Sequence, residues 1–416
     1  MQLSKIRIFF GTTIAVLAFL PINNYFRGST KDYAKWFEVG QTVIEGGDIY
    51  APRGDGTFQF MYPPTAAVLF AFPSYLGELP LIMILVVLYS AAWIVSLLLT
   101  LFLVTRTFGR DPPLVYFLPA LCCLPYVVEN FILGQPNLLL LALMLGAFVC
   151  LRAGKEWTAG ALVALASAIK AFPVLALVYL IYRKRWKATV STVIVLILLL
   201  VVFPAPFRGM GRNLQDLQTW TTGMFRYEPE SISQREQRGF SWANHSLVAV
   251  AHRLLRPVNA HRKRDEVLFV NIADIDFKYV TLVIVAIGLG LCSLYLYCMP
   301  PRSRRSDTSD ALEYAMLLLL ILMLTPLAFT YFFVWLLYPF TVVLHLVLST
   351  APGSPQRRAG WLWFWTCIAL IAFTVPIPAF RPVQAAGSTL LACVLLFVGI
   401  GWKLRAVARA QSVGAG

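Results

Sequence analysis

Apolar residues come in long uninterrupted runs along this chain, and the pattern recurs from residue 6 to residue 402. The run Val190 to Phe203 reads VSTVIVLILLLVVF, which is of helical length and lacks the alternation of apolar and polar positions that a membrane β-strand requires. The pattern predicts an all-α integral membrane protein, a polytopic bundle of about twelve spanning helices. Expected spans lie near 6–26, 63–78, 80–104, 113–128, 136–152, 158–181, 188–206, 277–298, 311–327, 329–349, 361–378 and 387–404. The whole chain, 1–416, reads as one membrane domain without repeats or low-complexity stretches.

Two segments are too polar to span. The first, 27–62, carries Asp32, Glu38, Glu45, Asp48 and Asp55; the second, 207–276, carries eight carboxylates, three histidines and many arginines. Within the first, Tyr33, Trp36, Phe37 and Val43-Ile44 fall at helical spacing, which predicts an amphipathic helix lying in the headgroup plane. The second has few aliphatic residues before Ser246 to Leu255 and is expected to pack on the bundle as a lid.

Composition sharpens the class. Of 416 residues 59% are apolar and only 13% charged, where a soluble surface needs roughly a quarter charged. A net charge of +15 would suggest nucleic acid in a soluble protein, but no basic, aromatic-interleaved motif is present, so no nucleic-acid partner is expected. Much of the excess sits in short loops, where Lys and Arg hold a loop on the cytoplasmic side beside membrane lipids. Lys5 and Arg7 ahead of the first run, without a cleavage site after it, read as a retained signal anchor with a cytoplasmic N-terminus. By parity, Arg183 to Lys187, Arg302 with Arg304-Arg305, Arg357-Arg358 and the tail with Lys403, Arg405 and Arg409 then face inward, and 27–62 and 207–276 face outward. Arg106 with Arg110 and Arg152 with Lys155 land outside, so one or two short segments between 63 and 152 are candidates for re-entrant helices. The seven cysteines lie in or at the ends of apolar runs with no C-x-x-C pair, and the four histidines show no ligand spacing; no metal and no cofactor are expected.

Several polar residues are candidates for chemistry. Asp32, at the end of the first span, is either a helix N-cap or a carboxylate that takes a proton from an attacking hydroxyl. Gly134-Gln135-Pro136-Asn137 interrupts two apolar stretches and is either a tight turn or a polar cavity lining. Lys170 sits in a 24-residue apolar segment, where a lysine costs at least about 2.5 kcal/mol unless it snorkels or meets an anion such as a lipid phosphate. Pro173 breaks the helix nearby. Asn244 and His245 precede an amphipathic stretch and fit sugar or phosphate binding, while Ser246 fits a helix N-cap. No P-loop, dinucleotide fingerprint or nucleophile elbow occurs. A lipid or polysaccharide transporter is the reading from another class, although paired discontinuous helices are not seen.

Taken in order, Asp32-Tyr33 with Trp36, Gly47-Asp48-Ile49-Tyr50, Phe60 to Pro64, Gly134 to Asn137, Ala159-Gly160 through Pro173, Asn244 to Leu247 and Leu324-Thr325-Pro326 resemble glycosyltransferase family 87. These are polyprenol-phosphate-mannose-dependent mannosyltransferases of the GT-C superfamily. The resemblance implies a GT-C fold with an outer-face active site, a sugar donor on polyprenyl phosphate, a glycolipid or glycan acceptor, and inversion at the anomeric carbon. It implies Asp32 as catalytic base and Lys170 as the family's helix lysine. A lipid-phosphate leaving group needs fixed cations, which Lys170 with Arg226, Arg235 or Arg238 would supply. Tyr33, Trp36, Tyr62, Gln135, Asn137, Asn244 and His245 would then contact substrate. Two positions depart from the family pattern: His245 stands where glutamine is usual, and the stretch after Pro326 lacks the expected histidine.

Overall fold

The structure, a computed structural model, describes residues 2–51, 60–106, 112–225, 239–262, 265–375 and 377–413. Among these every regular element is a helix, and the only β-type pairing is an isolated bridge between Asn244 and Phe329. Among the described residues six helical stretches are long and apolar enough to cross a membrane: Glu78–Thr105, Pro113–Leu133, Trp186–Arg208, Phe277–Cys298, Thr330–Ser349 and Ser388–Arg409. Trp186–Arg208 and Phe277–Cys298 have only 17% of their most apolar window buried by protein, so hydrocarbon must cover the rest. This is a membrane protein. The chain divides into two compact units, Met1–Leu99 with Tyr126–Arg226, and Thr100–Pro125 with Tyr227–Gly416.

The first unit begins with α1 (Gln2–Phe26) and α2 (Asp32–Ile44). α2 is the amphipathic helix that the spacing predicts, but its apolar face meets protein. Tyr33, Trp36, Val39, Gly40 and Val43 are buried, with Trp36 stacked on Phe70 of α3 (Pro64–Ser74) at 5.0 Å between ring centroids. The helix is present where the spacing puts it and its apolar face packs on protein, with the Tyr33 hydroxyl and the Trp36 indole N–H donating to backbone carbonyls. α3, with 11 residues, is about 16 Å long and cannot cross a bilayer core of about 30 Å. The span expected over 63–78 is thus a short helix, followed by α4 (Glu78–Thr105), α5 (Pro113–Leu133) and α6 (Asn137–Arg152).

The span expected over 158–181 is also discontinuous. α7 (Glu156–Ile169) ends where Lys170 turns extended, at φ −153° and ψ 121°, and a 3-10 turn over Phe172–Leu175 leads into α8 (Ala176–Tyr182). Pro173 cannot donate to a preceding carbonyl, which removes one of the bonds a continuous helix would need at this break. α7 packs tightly on α9 (Trp186–Ile197): a Cβ on Gly160 would lie 2.2 Å from the Ala188 carbonyl oxygen, and Ser191 donates across the seam to the Trp157 carbonyl at 2.7 Å. α9 widens into a π-turn over Leu198–Val202. Its slack carbonyls are taken up by side chains, Thr65 donating to Leu199 O and Asn213 to Leu200 O and Val201 O. α10 (Ala205–Arg208) and α11 (Met210–Phe225) follow. They are tied to the first polar segment, since Arg208 and Arg212 donate to Gly47 O and Gly46 O, and Trp220 donates to Met61 O.

In the second unit, α12 (Leu247–Leu255) is capped by the Ser246 hydroxyl, which accepts from Ala249 N. α13 (Phe277–Cys298) follows, then α14 (Asp307–Leu324), which opens with a capping box between Ser306 and Ser309. α14 is buried from Ser309 to Met323, at the centre of α13, α15 (Leu337–Ser349) and α18 (Ser388–Val413); α16 (Pro355–Ala372) and α17 (Arg381–Ala385) complete the unit. All seven cysteines are free thiols.

Candidate active site

The sequence Leu133-Gly134-Gln135-Pro136-Asn137 builds the turn on which the site rests. Gly134 has φ +73°, and the Gln135 N–H reaches back to Asn130 O at 2.9 Å, closing the C-terminus of α5. A Cβ at Gly134 would also lie 3.0 Å from the Tyr33 ring. The Gly134 carbonyl accepts from Trp36 Nε1 at 2.8 Å and from the Tyr89 hydroxyl at 3.0 Å. The Tyr33 hydroxyl donates to Phe131 O at 2.8 Å, and burial pushes that phenol up so that it stays a donor. Tyr33 and Trp36 thus seat α2 on the turn.

That seating places Asp32 over Gln135. Asp32 is the first residue of α2 and makes no capping bond. Its Oδ2 instead accepts from Gln135 Nε2 at 2.7 Å, and its Oδ1 pairs with Lys35 Nζ at 2.7 Å. Gln135 Oε1 accepts the Tyr62 hydroxyl at 2.7 Å and faces Lys170 Nζ at 3.4 Å. Lys170 Nζ also lies 3.3 Å from Asn137 Oδ1 and 5.1 Å from the centre of the Tyr62 ring. The Asn137 amide donates in turn to Asn130 Oδ1 at 3.0 Å. Asp32, Tyr33, Trp36, Tyr62, Gln135, Asn137 and Lys170 are therefore gathered in one place within the first unit. Chemically this is a partly exposed carboxylate and an ammonium joined through one amide, with aromatic walls from Trp36 and Tyr62, whose rings meet edge to face at 4.9 Å.

Asn130 belongs to this network and sequence reasoning passed over it. Its signal is a polar residue inside the apolar run of α5, one turn before the Gly134 turn.

Asn244 and His245 lie in the second unit. The Asn244 amide is spent on backbone: Nδ2 donates to Gly239 O and Pro326 O, and Oδ1 accepts from Ser246 N and Ala328 N. His245 is buried against Phe333, with its Nε2 3.4 Å from the Thr330 hydroxyl; burial, then the Arg253 charge, lowers it to about 3, so the ring is neutral. Arg253, another residue that the sequence did not single out, is fully buried and donates to Ala385 O, Ser241 O and Asn244 O at 2.6–2.8 Å. It braces the segment that carries Asn244 and His245. Arg226, Arg235 and Arg238, the expected second cations, lie outside the described residues, as do Asp55 and Arg110. Among the described residues no group of His, Cys, Asp and Glu could hold a metal.

The family model of glycosyltransferase family 87 matches residues 60–326, well over half of the chain. The match includes Tyr62, Gln135, Asn137, Lys170, Asn244 and His245 and begins after Asp32. No curated protein and no solved structure matches.

Proposed function

The chain belongs to glycosyltransferase family 87, and from that premise we propose that it moves a sugar, mannose in the first instance, from a polyprenyl-phosphate donor to an acceptor hydroxyl at the outer face of the membrane. Transfer proceeds with inversion, and Asp32 is the general base. The observation that carries this reading is the link from Asp32 through Gln135 to Lys170. A glycolipid or glycan end would supply the hydroxyl.

The acceptor oxygen bonds to the anomeric carbon as the bond to the phosphate oxygen breaks. The hydroxyl proton passes to Asp32, and the lipid phosphate leaves with the electron pair. Such a leaving group is stable as an anion and needs a cation more than a general acid. Lys170 is the proposed contact, joined by Arg226 or Arg238. Asp32 is suited to its part because Lys35, partly exposed and on the same helix, holds it by an ion pair worth only about 0.3–0.5 kcal/mol. A hydroxyl can replace that partner at little cost. The bonds from Arg208, Arg212 and Trp220 to Gly46, Gly47 and Met61 support placing 27–62 and the start of 207–276 on one side of the membrane.

The test is to incubate purified protein in lipid with a panel of polyprenyl-phosphate sugars and a membrane lipid extract, and to follow glycosylated product by mass spectrometry. Product from the wild type is expected. Asp32→Asn should lower the rate by 10²- to 10⁴-fold (roughly, for a general base) with a nearly unchanged thermal midpoint. Transfer of no sugar from any donor, or turnover by Asp32→Asn near the wild-type rate, would sink the reading.

A further inference from the structure

We propose that Gln135 is the positioning residue of the base: its amide pins one oxygen of Asp32 and leaves the other to take the acceptor proton. The inference rests on Asp32 being the base, as proposed above. The two oxygens of Asp32 are held by partners of different kind. Oδ2 accepts at 2.7 Å from Gln135 Nε2, on a side chain only 2% exposed and fixed in a turn. Oδ1 accepts at 2.7 Å from Lys35, whose side chain is 36% exposed. A buried, preorganised donor stays in place, whereas a half-exposed lysine exchanges readily with solvent or substrate. Oδ1 is therefore the oxygen that reacts.

The amide has only one orientation available to it. An ammonium has no acceptor, so Lys170 requires the amide oxygens of Gln135 and Asn137 to face it. The Tyr62 hydroxyl donates to the same Gln135 oxygen at 2.7 Å. With Oε1 so fixed, Nε2 must point at Asp32; reversed, an amide oxygen would meet a carboxylate oxygen with no proton between them. Tyr62 is itself held, its carbonyl accepting from the Tyr50 hydroxyl at 2.7 Å. Asn137 is fixed by donating to Asn130, whose amide donates to Tyr126 O. Donation runs outward from Lys170 in two branches, one through Gln135 to Asp32 and the other through Asn137 and Asn130 to Tyr126 O. With two donors on Oε1 and one Nε2 proton given to the carboxylate, the Gln135 amide is held in place to orient Asp32.

The full chain in lipid vesicles, given polyprenyl-phosphate mannose and a membrane lipid extract, tests this. Gln135→Leu should lower kcat about 10- to 100-fold, less than loss of the base itself, with both KM values within about twofold of wild type. Tyr62→Phe keeps the ring and removes only the lock; it should lower kcat by about 3- to 10-fold in the same manner. A second readout does not need transfer. Carbodiimides modify carboxyl groups, and the rate of Asp32 modification at one fixed pH, followed by mass spectrometry, should rise about 3- to 10-fold in Gln135→Leu, because the donor that holds Oδ2 is gone. Should Gln135→Leu fail to fold, Gln135→Glu decides by the same two readouts, with a larger rise expected from a second carboxylate at that distance. A folded variant with wild-type kcat and labelling rate overturns the proposal, as does a raised KM at unchanged kcat. If the wild type transfers nothing, the reading of function falls, while the labelling still decides whether Gln135 holds Asp32.

Discussion

Lys170 and His245 show how one residue's surroundings set its chemistry. Lys170 lies inside an apolar segment, yet the helix breaks at that residue and its Nζ meets two amide oxygens and a tyrosine face. Neutral partners can solvate a cation without cancelling its charge, which suits the proposed contact with a lipid phosphate. Lys170→Met should raise the donor KM tenfold or more, about 1.4 kcal/mol, while leaving the acceptor KM and membrane insertion intact. Titrating each substrate against the reconstituted variant checks this; an unchanged donor KM would leave Lys170 a purely structural role. His245 and His252 are held neutral by burial, each lowered to about 3, with Arg253 and Arg256 adding to the effect. Because their folded values lie below the ordinary 6.5, the unfolded state binds protons first as pH falls. The stability they contribute is whole above about 6.5 and is lost toward 3, at up to about 1.4 kcal/mol per pH unit for each ring. The thermal midpoint should fall between pH 6.5 and 4, and His245→Gln should make that fall shallower in a differential scan.

At the scale of elements, the turn after α5 and the pairing of α10 with α11 hold the site's frame. Gly134 has φ +73°, and a Cβ there would sit tightly, 3.0 Å from the Tyr33 ring. Gly134→Ala should cost at least about 1 kcal/mol in backbone strain alone, and its larger effect should be on transfer, since Tyr33 and Trp36 would shift α2 and Asp32 with it. A variant with a lower midpoint and full activity would show that the turn does not position the base. Arg208 and Asp216 form a buried pair at 2.8 Å with side chains 0% and 6% exposed. Asp216→Asn leaves the guanidinium without its counter-charge and should destabilise by about 3–5 kcal/mol, read as a lower thermal midpoint in detergent. Here an isolated surface pair would give almost nothing, so the magnitude itself discriminates.

For the whole molecule, the basic clusters and the apolar runs make a topology that chemistry can test. Single cysteines at Glu38 and Arg212 on a cysteine-free background should label with an impermeant thiol reagent applied from outside. One at Arg304 should label only after permeabilisation. Labelling at 304 from outside, with 38 and 212 protected, would invert the orientation and place Asp32 on the cytoplasmic side.

The class and six of the spans were legible in the residues because they are local: a run of apolar side chains carries its own cost of exposure, wherever the rest of the chain goes. So were α2 and the break near Pro173, which depend on spacing and on a missing N–H. Gln135, Asn137 and Lys170 were visible as polar groups where polarity is costly, Asp32 as a carboxylate at the end of the first span, and Tyr62 through the family resemblance. Their convergence was not visible, since Asp32 and Gln135 meet across 103 positions of sequence and only the seating of α2 on the Gly134 turn brings them to 2.7 Å. Nor did the sequence separate α2 lying on lipid from α2 packed on protein, because an amphipathic face reads the same for either neighbour. Asn130, Arg208 and Arg253 went unremarked for a related reason. A buried polar side chain is recognised by the carbonyl or carboxylate it satisfies, and that partner is fixed by tertiary structure alone.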